Sequence, residues 1–200
     1  ALPGPQPGMT FTAPNSLHTP RNLESITLPD SPALDAAIPF PAGEAEAQRR
    51  LQYFVSAGDE LPPIYDYASG RNRLDLDGTS QLSPYLRFGM LSPRQAVSAA
   101  LQAIRATPDP DARRSAETWL NELIWREFYI HTLYYHPRVR RENYRMPNVR
   151  WENNLDHFAA WCAGQTGYPV VDAAMRQMSN SGWMHNRARM IVASFLTKDL

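Results

Sequence analysis

Residues 119–129 read Trp119-Leu120-Asn121-Glu122-Leu123-Ile124-Trp125-Arg126-Glu127-Phe128-Tyr129, and residues 182–190 read Gly182-Trp183-Met184-His185-Asn186-Arg187-Ala188-Arg189-Met190. In the first stretch Glu122, Trp125, Arg126 and Tyr129 stand at i, i+3, i+4 and i+7. A helix therefore places them on one face, while Trp119, Leu123 and Ile130 turn toward a core. A carboxylate, an indole, a guanidinium and a phenol together can bond a base edge, stack on a ring and neutralise a phosphate. The spacing equally suits a plain amphipathic helix carrying a Glu122–Arg126 ion pair worth roughly 0.3–0.5 kcal/mol. Periodicity alone favours that plainer account. In the second stretch Trp183, Arg187 and Met190 align, as do Asn186, Met190 and Ala193, with Arg189 on a neighbouring stripe. Asn186 offers two donors and an acceptor, enough for the imide edge of a pyrimidine or flavin, and Met190 a polarizable apolar contact. His185 has no His or Cys at ligand spacing, so a hydrogen-bonded role is favoured over metal binding.

Working outward, two Ser-Pro pairs, Ser83-Pro84 and Ser92-Pro93, place a capping hydroxyl before a proline and predict helix starts near 84 and 93. Before the first pair, Gly78-Thr79-Ser80-Gln81-Leu82 brings hydroxyls and backbone amides to a helix N-terminus, where a phosphate or a simple capping turn is accommodated. Further helices are expected from Glu44 to the break at Gly58-Asp59-Glu60, from about 112 to 136, over 155–163, over 170–178 with a possible Asp172–Arg176 pair, and from about Trp183 on through Leu200. Strand alternation is not sustained anywhere, so the expected class is all-α. Nine of the 18 prolines lie in the first 41 residues. Residues 1–43 accordingly read as a Pro-rich linker and 44–200 as one helical domain.

The chain-wide balance is neutral, but residues 1–86 hold 5 Lys and Arg against 10 Asp and Glu, whereas residues 87–200 hold 15 against 10 and all five tryptophans. A basic, aromatic half suits a polyanion with stackable rings, and equally an incidental surface bias. The single Cys162 excludes an internal disulfide and suits a reducing compartment; no apolar run is long enough for a membrane span and no signal peptide is apparent, so the expected location is cytoplasmic. G-x-G-x-x-G, a Walker lysine, a nucleophile elbow and zinc-ligand spacing are all missing, and no metal is expected.

Taken in order, the segments beginning Gly78-Thr79-Ser80, Trp119-Leu120-Asn121-Glu122, Thr166-Gly167-Tyr168-Pro169 and Gly182-Trp183-Met184-His185-Asn186-Arg187 resemble the FAD domain of DNA photolyases and cryptochromes over about residues 44–200. The resemblance implies an all-helical fold holding a folded-back FAD beneath a basic surface. It assigns FAD contacts to Tyr67, Thr79, Ser80, Gln81, Leu82, Ser83, Trp119, Arg126 and Arg189. It assigns a flipped-out pyrimidine dimer to Arg71, Glu122, Trp125, Asn186 and Met190, with Arg126, Tyr129 and Arg187 along the DNA. Trp151 matches the outermost tryptophan of the family's photoreduction chain, and Asn186 with Met190 matches enzymes of cyclobutane dimers. Gln81 departs from the family, which often has arginine there. The implied partner is UV-damaged DNA and the implied state a monomer. The inner tryptophans, the Asp-Gly-Asp motif and the domain holding a folate or deazaflavin antenna are absent from these 200 residues, so a truncated domain is implied, with marginal stability expected from exposed Ile191, Val192, Phe195 and Leu196.

Overall fold

The computed structural model describes residues 39–56, 61–145 and 152–200. Among the described residues eight α-helices account for nearly all of the regular structure, and no strand occurs. They are α1 (Glu44–Val55), α2 (Tyr67–Gly70), α3 (Ser83–Arg87), α4 (Pro93–Ala106), α5 (Pro110–Tyr135), α6 (Leu155–Ala163), α7 (Pro169–Ser181) and α8 (Asn186–Lys198), with single 3-10 turns at Pro63–Tyr65 and Pro137–Arg140. The all-α class read from the sequence is the class observed. The expected break at residues 58–60 and nearly all of the expected linker lie outside the described residues. Phe40, at the end of that linker stretch, packs edge-on against Tyr85 with ring centroids 6.4 Å apart.

Local signals account for most helix ends. Ser92 accepts from the Arg94 amide at 3.3 Å while Gln95 accepts from the Ser92 amide at 3.0 Å, a complete capping box that starts α4 with Pro93 in its first turn. Asp109 caps α5 through the Asp111 amide, so α5 begins at Pro110, slightly before the expected start. It ends where Pro137 bars the preceding residue from helical geometry. Asn154 caps α6 by accepting from two amides, and Gly164 and Gly182, at φ 64° and 68°, close α6 and α7 in the left-handed region.

Three expectations fail at the ends. Ser83 does not cap α3; it is the first helical residue, and Leu82 precedes it without a side-chain cap. The last helix starts at Asn186, not Trp183, because the His185 ring nitrogen Nδ1 accepts the Arg187 amide at 3.1 Å. It also ends at Lys198 with Asp199 as its cap, whereas the apolar pattern predicts helix through Leu200.

Packing divides the core into two clusters. One gathers α1 to α5 around Phe54, Ile64, Leu82, Tyr85 and Leu91, all essentially without solvent contact. The other joins α6, α7 and α8 through Val171, Met175, Met184, Val192 and Phe195. In that cluster the Trp161 indole donates to the Val192 carbonyl at 3.1 Å and Tyr168 lies 4.9 Å from Phe195, so Val192 and Phe195 are covered instead of exposed. Apolar surface is open along α5, where Ile130, expected toward the core, is 45 % exposed. Asp172 and Arg176 do not pair. The buried Asp172 carboxylate accepts from the Thr166 amide (2.7 Å), the Thr166 hydroxyl (2.6 Å) and the Gly167 amide (3.0 Å), and Arg176 donates to the Gly164 carbonyl at 2.7 Å. The Thr166 hydroxyl first, then the two amides and Arg176, hold the Asp172 carboxyl below the usual carboxylate range.

Candidate cofactor and nucleic-acid site

The site is built on α5, whose first half is buried and whose second half is open. Trp119 is 3 % exposed and packs 5.1 Å from Phe54, which in turn meets Tyr67 edge-on at 5.9 Å. Its indole N–H donates to the Ser80 hydroxyl at 3.3 Å, tying the core to the turn over residues 79–83. The Ser115 hydroxyl accepts from the Ala68 amide and donates to the Ile64 carbonyl, each at 2.9 Å, which pins α2 against α5. Tyr67 is buried there. Burial pushes its phenol up to about 12, with the Arg71 charge opposing and Glu122 adding to the rise.

From the end of α2, Arg71 reaches across to α5 and donates to Glu122 at 2.6 Å, its guanidinium 5.4 Å from the Tyr67 ring centroid. The neighbouring Asn72 accepts from Arg187 of α8. Two consecutive residues thus touch both helices that carry the sequence-predicted recognition residues. One turn beyond Glu122, Trp125 is 51 % exposed and packs edge-on against Phe128 and tilted against Tyr129. Asn186 and Met190 are likewise exposed, and an Arg187 N–H lies 3.9 Å from the Met190 sulfur.

Gly70 and Gly78 bring the chain back on itself between these parts. A Cβ built on Gly78 would stand 2.7 Å from the Gly70 carbonyl carbon and oxygen, so only a residue without a side chain fits. The turn that follows carries Gln81 at φ 50°, a left-handed conformation, and its side chain is held on both sides: the Nε2 amide donates to Asp77 at 2.5 Å and Oε1 accepts from Arg50 at 3.1 Å. Between this turn and α1 lies a polar cavity of about 290 Å³, lined among others by Arg49, Arg50, Tyr53, Thr79, Ser80 and Gln81. Glu46 holds both arginines, at 2.7 and 2.8 Å, and the Arg49 and then Arg50 contacts bring its carboxyl down to about 2.

Two guanidiniums, two hydroxyls and an amide facing one cavity match the donor set that a diphosphate requires. The residues present therefore fit a diphosphate-bearing cofactor, with the Asp77 carboxylate the one acidic group lining the cavity. Arg49, Arg50 and Tyr53 were not singled out by the sequence reading; the Glu46-x-x-Arg49-Arg50 spacing announces the ion pairs but not the cavity they face. Asn72 carries no sequence signal at all.

Several expected contacts are made differently. Leu82 is buried in the core, leaving only its backbone for a ligand, and the Ser83 side chain is exposed beyond the turn. Arg126 pairs with Glu127 at 2.7 Å, so the expected i, i+4 pair with Glu122 is replaced by Arg71–Glu122. Arg189 folds back onto the Met184 carbonyl at 3.0 Å. Trp151 lies outside the described residues. No group of three metal-ligating side chains occurs among the described residues, and no described helix is long and apolar enough to cross a membrane.

Fold and site together define a helical domain with a polar, arginine-lined cavity and an exposed aromatic and arginine-bearing face. The family described as the FAD binding domain of DNA photolyase matches residues 119–200. The whole chain is 44 % identical to the deoxyribodipyrimidine photo-lyase of Synechococcus sp., covering 43 % of it, and 94 % of the chain is 40 % identical to that of Escherichia coli, covering 40 %. Among solved structures, 84 % of the chain matches 35 % of a Synechocystis sp. cryptochrome with TM-score 0.75 and 33 % identity, and 79 % matches 31 % of a class III photolyase from Agrobacterium tumefaciens with TM-score 0.70 and 38 % identity. Residues 119–200 belong to the family of the FAD binding domain of DNA photolyase, and the chain spans less than half the length of these relatives.

Proposed function

We propose that the chain is the FAD- and DNA-binding catalytic part of a deoxyribodipyrimidine photo-lyase, repairing cyclobutane pyrimidine dimers under light. The observation that carries this reading is the Arg71–Glu122 pair at 2.6 Å, set one helical turn from the half-exposed Trp125 and linked through Asn72 to Arg187 beside Asn186. Photolyases are among the enzymes that extrude their target from the base stack, at a cost of a few kcal/mol that is smallest at a damaged step. Trp125 offers a stacking plane for the extruded dimer. Glu122 accepts from base-edge N–H groups, its free oxygen oriented by Arg71, while Asn186 bonds the opposite edge and Met190 fills the apolar side. Arg187, with Arg126 and Tyr129 on α5, anchors the DNA backbone.

The 79–83 turn with Arg49, Arg50 and Trp119 would hold FAD, its diphosphate toward the cavity arginines. The chemistry supplied by bound FAD is light-driven donation of one electron and its recovery after the cyclobutane ring opens. The protein's part is to hold the dimer and keep water from it, and no side chain need act as a general base. Trp151 belongs to this reading as an outer electron relay, and any folate or deazaflavin antenna is placed outside these 200 residues. A cytoplasmic, monomeric protein completes it.

The likeness to the Synechocystis cryptochrome supports a second reading, a blue-light receptor with the same cofactor. An absorption spectrum with FAD, followed by blue-light illumination with a thymine-dimer oligonucleotide and reductant, separates them. Bound flavin with loss of dimers supports the repair enzyme. Bound flavin without repair supports the receptor, and no flavin signal refutes both.

A further inference from the structure

Beyond Trp125 the open face of α5 continues. Trp125, Tyr129, Thr132 and His136 follow at i, i+4, i+7 and i+11 and so form one stripe down the helix. At its end His136 packs on Tyr144 with ring centroids 5.2 Å apart, and Arg145 lies 5.9 Å from the Tyr144 ring, so the turn over residues 137–145 folds back against the helix terminus. That turn presents Arg138, Arg140, Arg141 and Arg145, all exposed. Glu142 is the single carboxylate in residues 131–145, and none of the four arginines forms an ion pair among the described residues. Tyr134 and Tyr135 beside them are 76 % and 70 % exposed. Unpaired guanidiniums interleaved with exposed rings fit a sugar–phosphate backbone.

We propose that the 138–145 turn is a second DNA contact, binding phosphates of the undamaged duplex that flanks the lesion. The inference rests on the DNA reading above. The ten residues from Trp125 to Tyr135 advance about 15 Å along the helix axis. That distance corresponds to about four to five base steps along one strand. The strip therefore meets duplex that is still paired, and it contributes affinity without contributing recognition of the dimer.

The test replaces Arg138, Arg140 and Arg141 together by Gln in the full chain. Binding to a dimer-containing duplex of about 20 base pairs and to its undamaged counterpart is measured across a salt series. The expected slope of log affinity against log salt becomes shallower by roughly 2–3 units, at about 0.9 per phosphate contact. Affinity for both duplexes falls by the same factor, the preference for damaged DNA stays, and the flavin spectrum is unchanged. On a short duplex with only two base pairs either side of the dimer, variant and parent bind alike. An unchanged salt slope on the long duplex overturns the inference and leaves the repair reading intact, as does a loss confined to damaged DNA. A parent chain that binds neither duplex overturns the DNA reading and the strip with it.

Discussion

Replacing Gly78 by alanine should damage the protein more than replacing Gly70, although the two glycines touch each other. The new Cβ at 78 would lie 2.7 Å from the Gly70 carbonyl carbon and oxygen and 3.0 Å from its Cα, all backbone atoms that no rotamer change can move. Restoring contact to the van der Waals optimum requires the two segments to separate by roughly 0.7–1 Å. Overpacking of that kind costs about 1–3 kcal/mol. In a chain of this size it lowers the melting temperature by roughly 2–12 °C. The reverse substitution is different, because a Cβ on Gly70 finds its nearest neighbours at 3.4 and 3.6 Å, ordinary contacts, and Gly70 is the last residue of α2. Gly70→Ala should be neutral or stabilise by up to about 1 kcal/mol through the unfolded chain. The separation forced by Gly78→Ala also displaces Thr79 and Ser80 from the cavity, so its FAD affinity should fall while that of Gly70→Ala holds. Equilibrium urea unfolding with flavin fluorescence titration measures both quantities. A Gly78→Ala protein as stable as its parent, or a Gly70→Ala protein more damaged than Gly78→Ala, refutes the reasoning.

Glu122→Gln should cost less than about 1 kcal/mol of stability, since its pair with Arg71 is partly solvated, yet reduce the preference for dimer over undamaged DNA about tenfold, which competition binding measures. Arg49→Ala should weaken FAD binding roughly two- to fivefold with little change in melting, and the difference should vanish at high salt; equal affinities at low salt would remove Arg49 from the cofactor wall. His185 is 3 % exposed, and burial, then the Arg187 charge, lower its pKa against the opposing effect of Asp77. Its unfolded form takes up a proton first, so its effect on stability is absent above about pH 6.5 and grows as destabilisation when the pH falls below that value. Urea midpoints between pH 7.5 and 5.5 should decline, and His185→Asn, which keeps a cap acceptor but cannot titrate, should flatten the decline.

Elements whose signals are local were legible in the sequence. The Ser92-Pro93 start of α4 and the helices expected over 155–163 and 170–178 depend on groups within a few residues of each other, and the structure has a helix at each place, bounded by Ser92, by Asn154 and Gly164, and by Gly182. Choices between competing partners were not legible. Glu122 could reach Arg126 on its own helix, but the pair observed is with Arg71, 51 residues away, because packing of α2 against α5 delivers that guanidinium. Asp172 likewise ignores Arg176 for the amides of Thr166 and Gly167 and the Thr166 hydroxyl in the preceding turn. The cavity was half legible: residues 79–83 announce a turn rich in hydroxyls, whereas the arginines opposite come from a helix whose pattern shows only amphipathicity.

Helix α5 spans 26 residues, about 39 Å, without interruption. Its tryptophan against the 79–83 turn, its carboxylate, its exposed indole and the arginine turn at its end are all read off one rod. Such a rod tolerates substitution far better than a change of length. One residue inserted after Leu123 would swing everything beyond it by about 100° and shift it by about 1.5 Å, turning Trp125 away while leaving Trp119 in place. Seven inserted residues would nearly restore the angle but move the far end outward by about 10 Å. Along this part of the chain a lineage can therefore exchange side chains one at a time, but any gain or loss of a codon breaks the alignment between the buried Trp119 and the exposed Trp125 at a stroke.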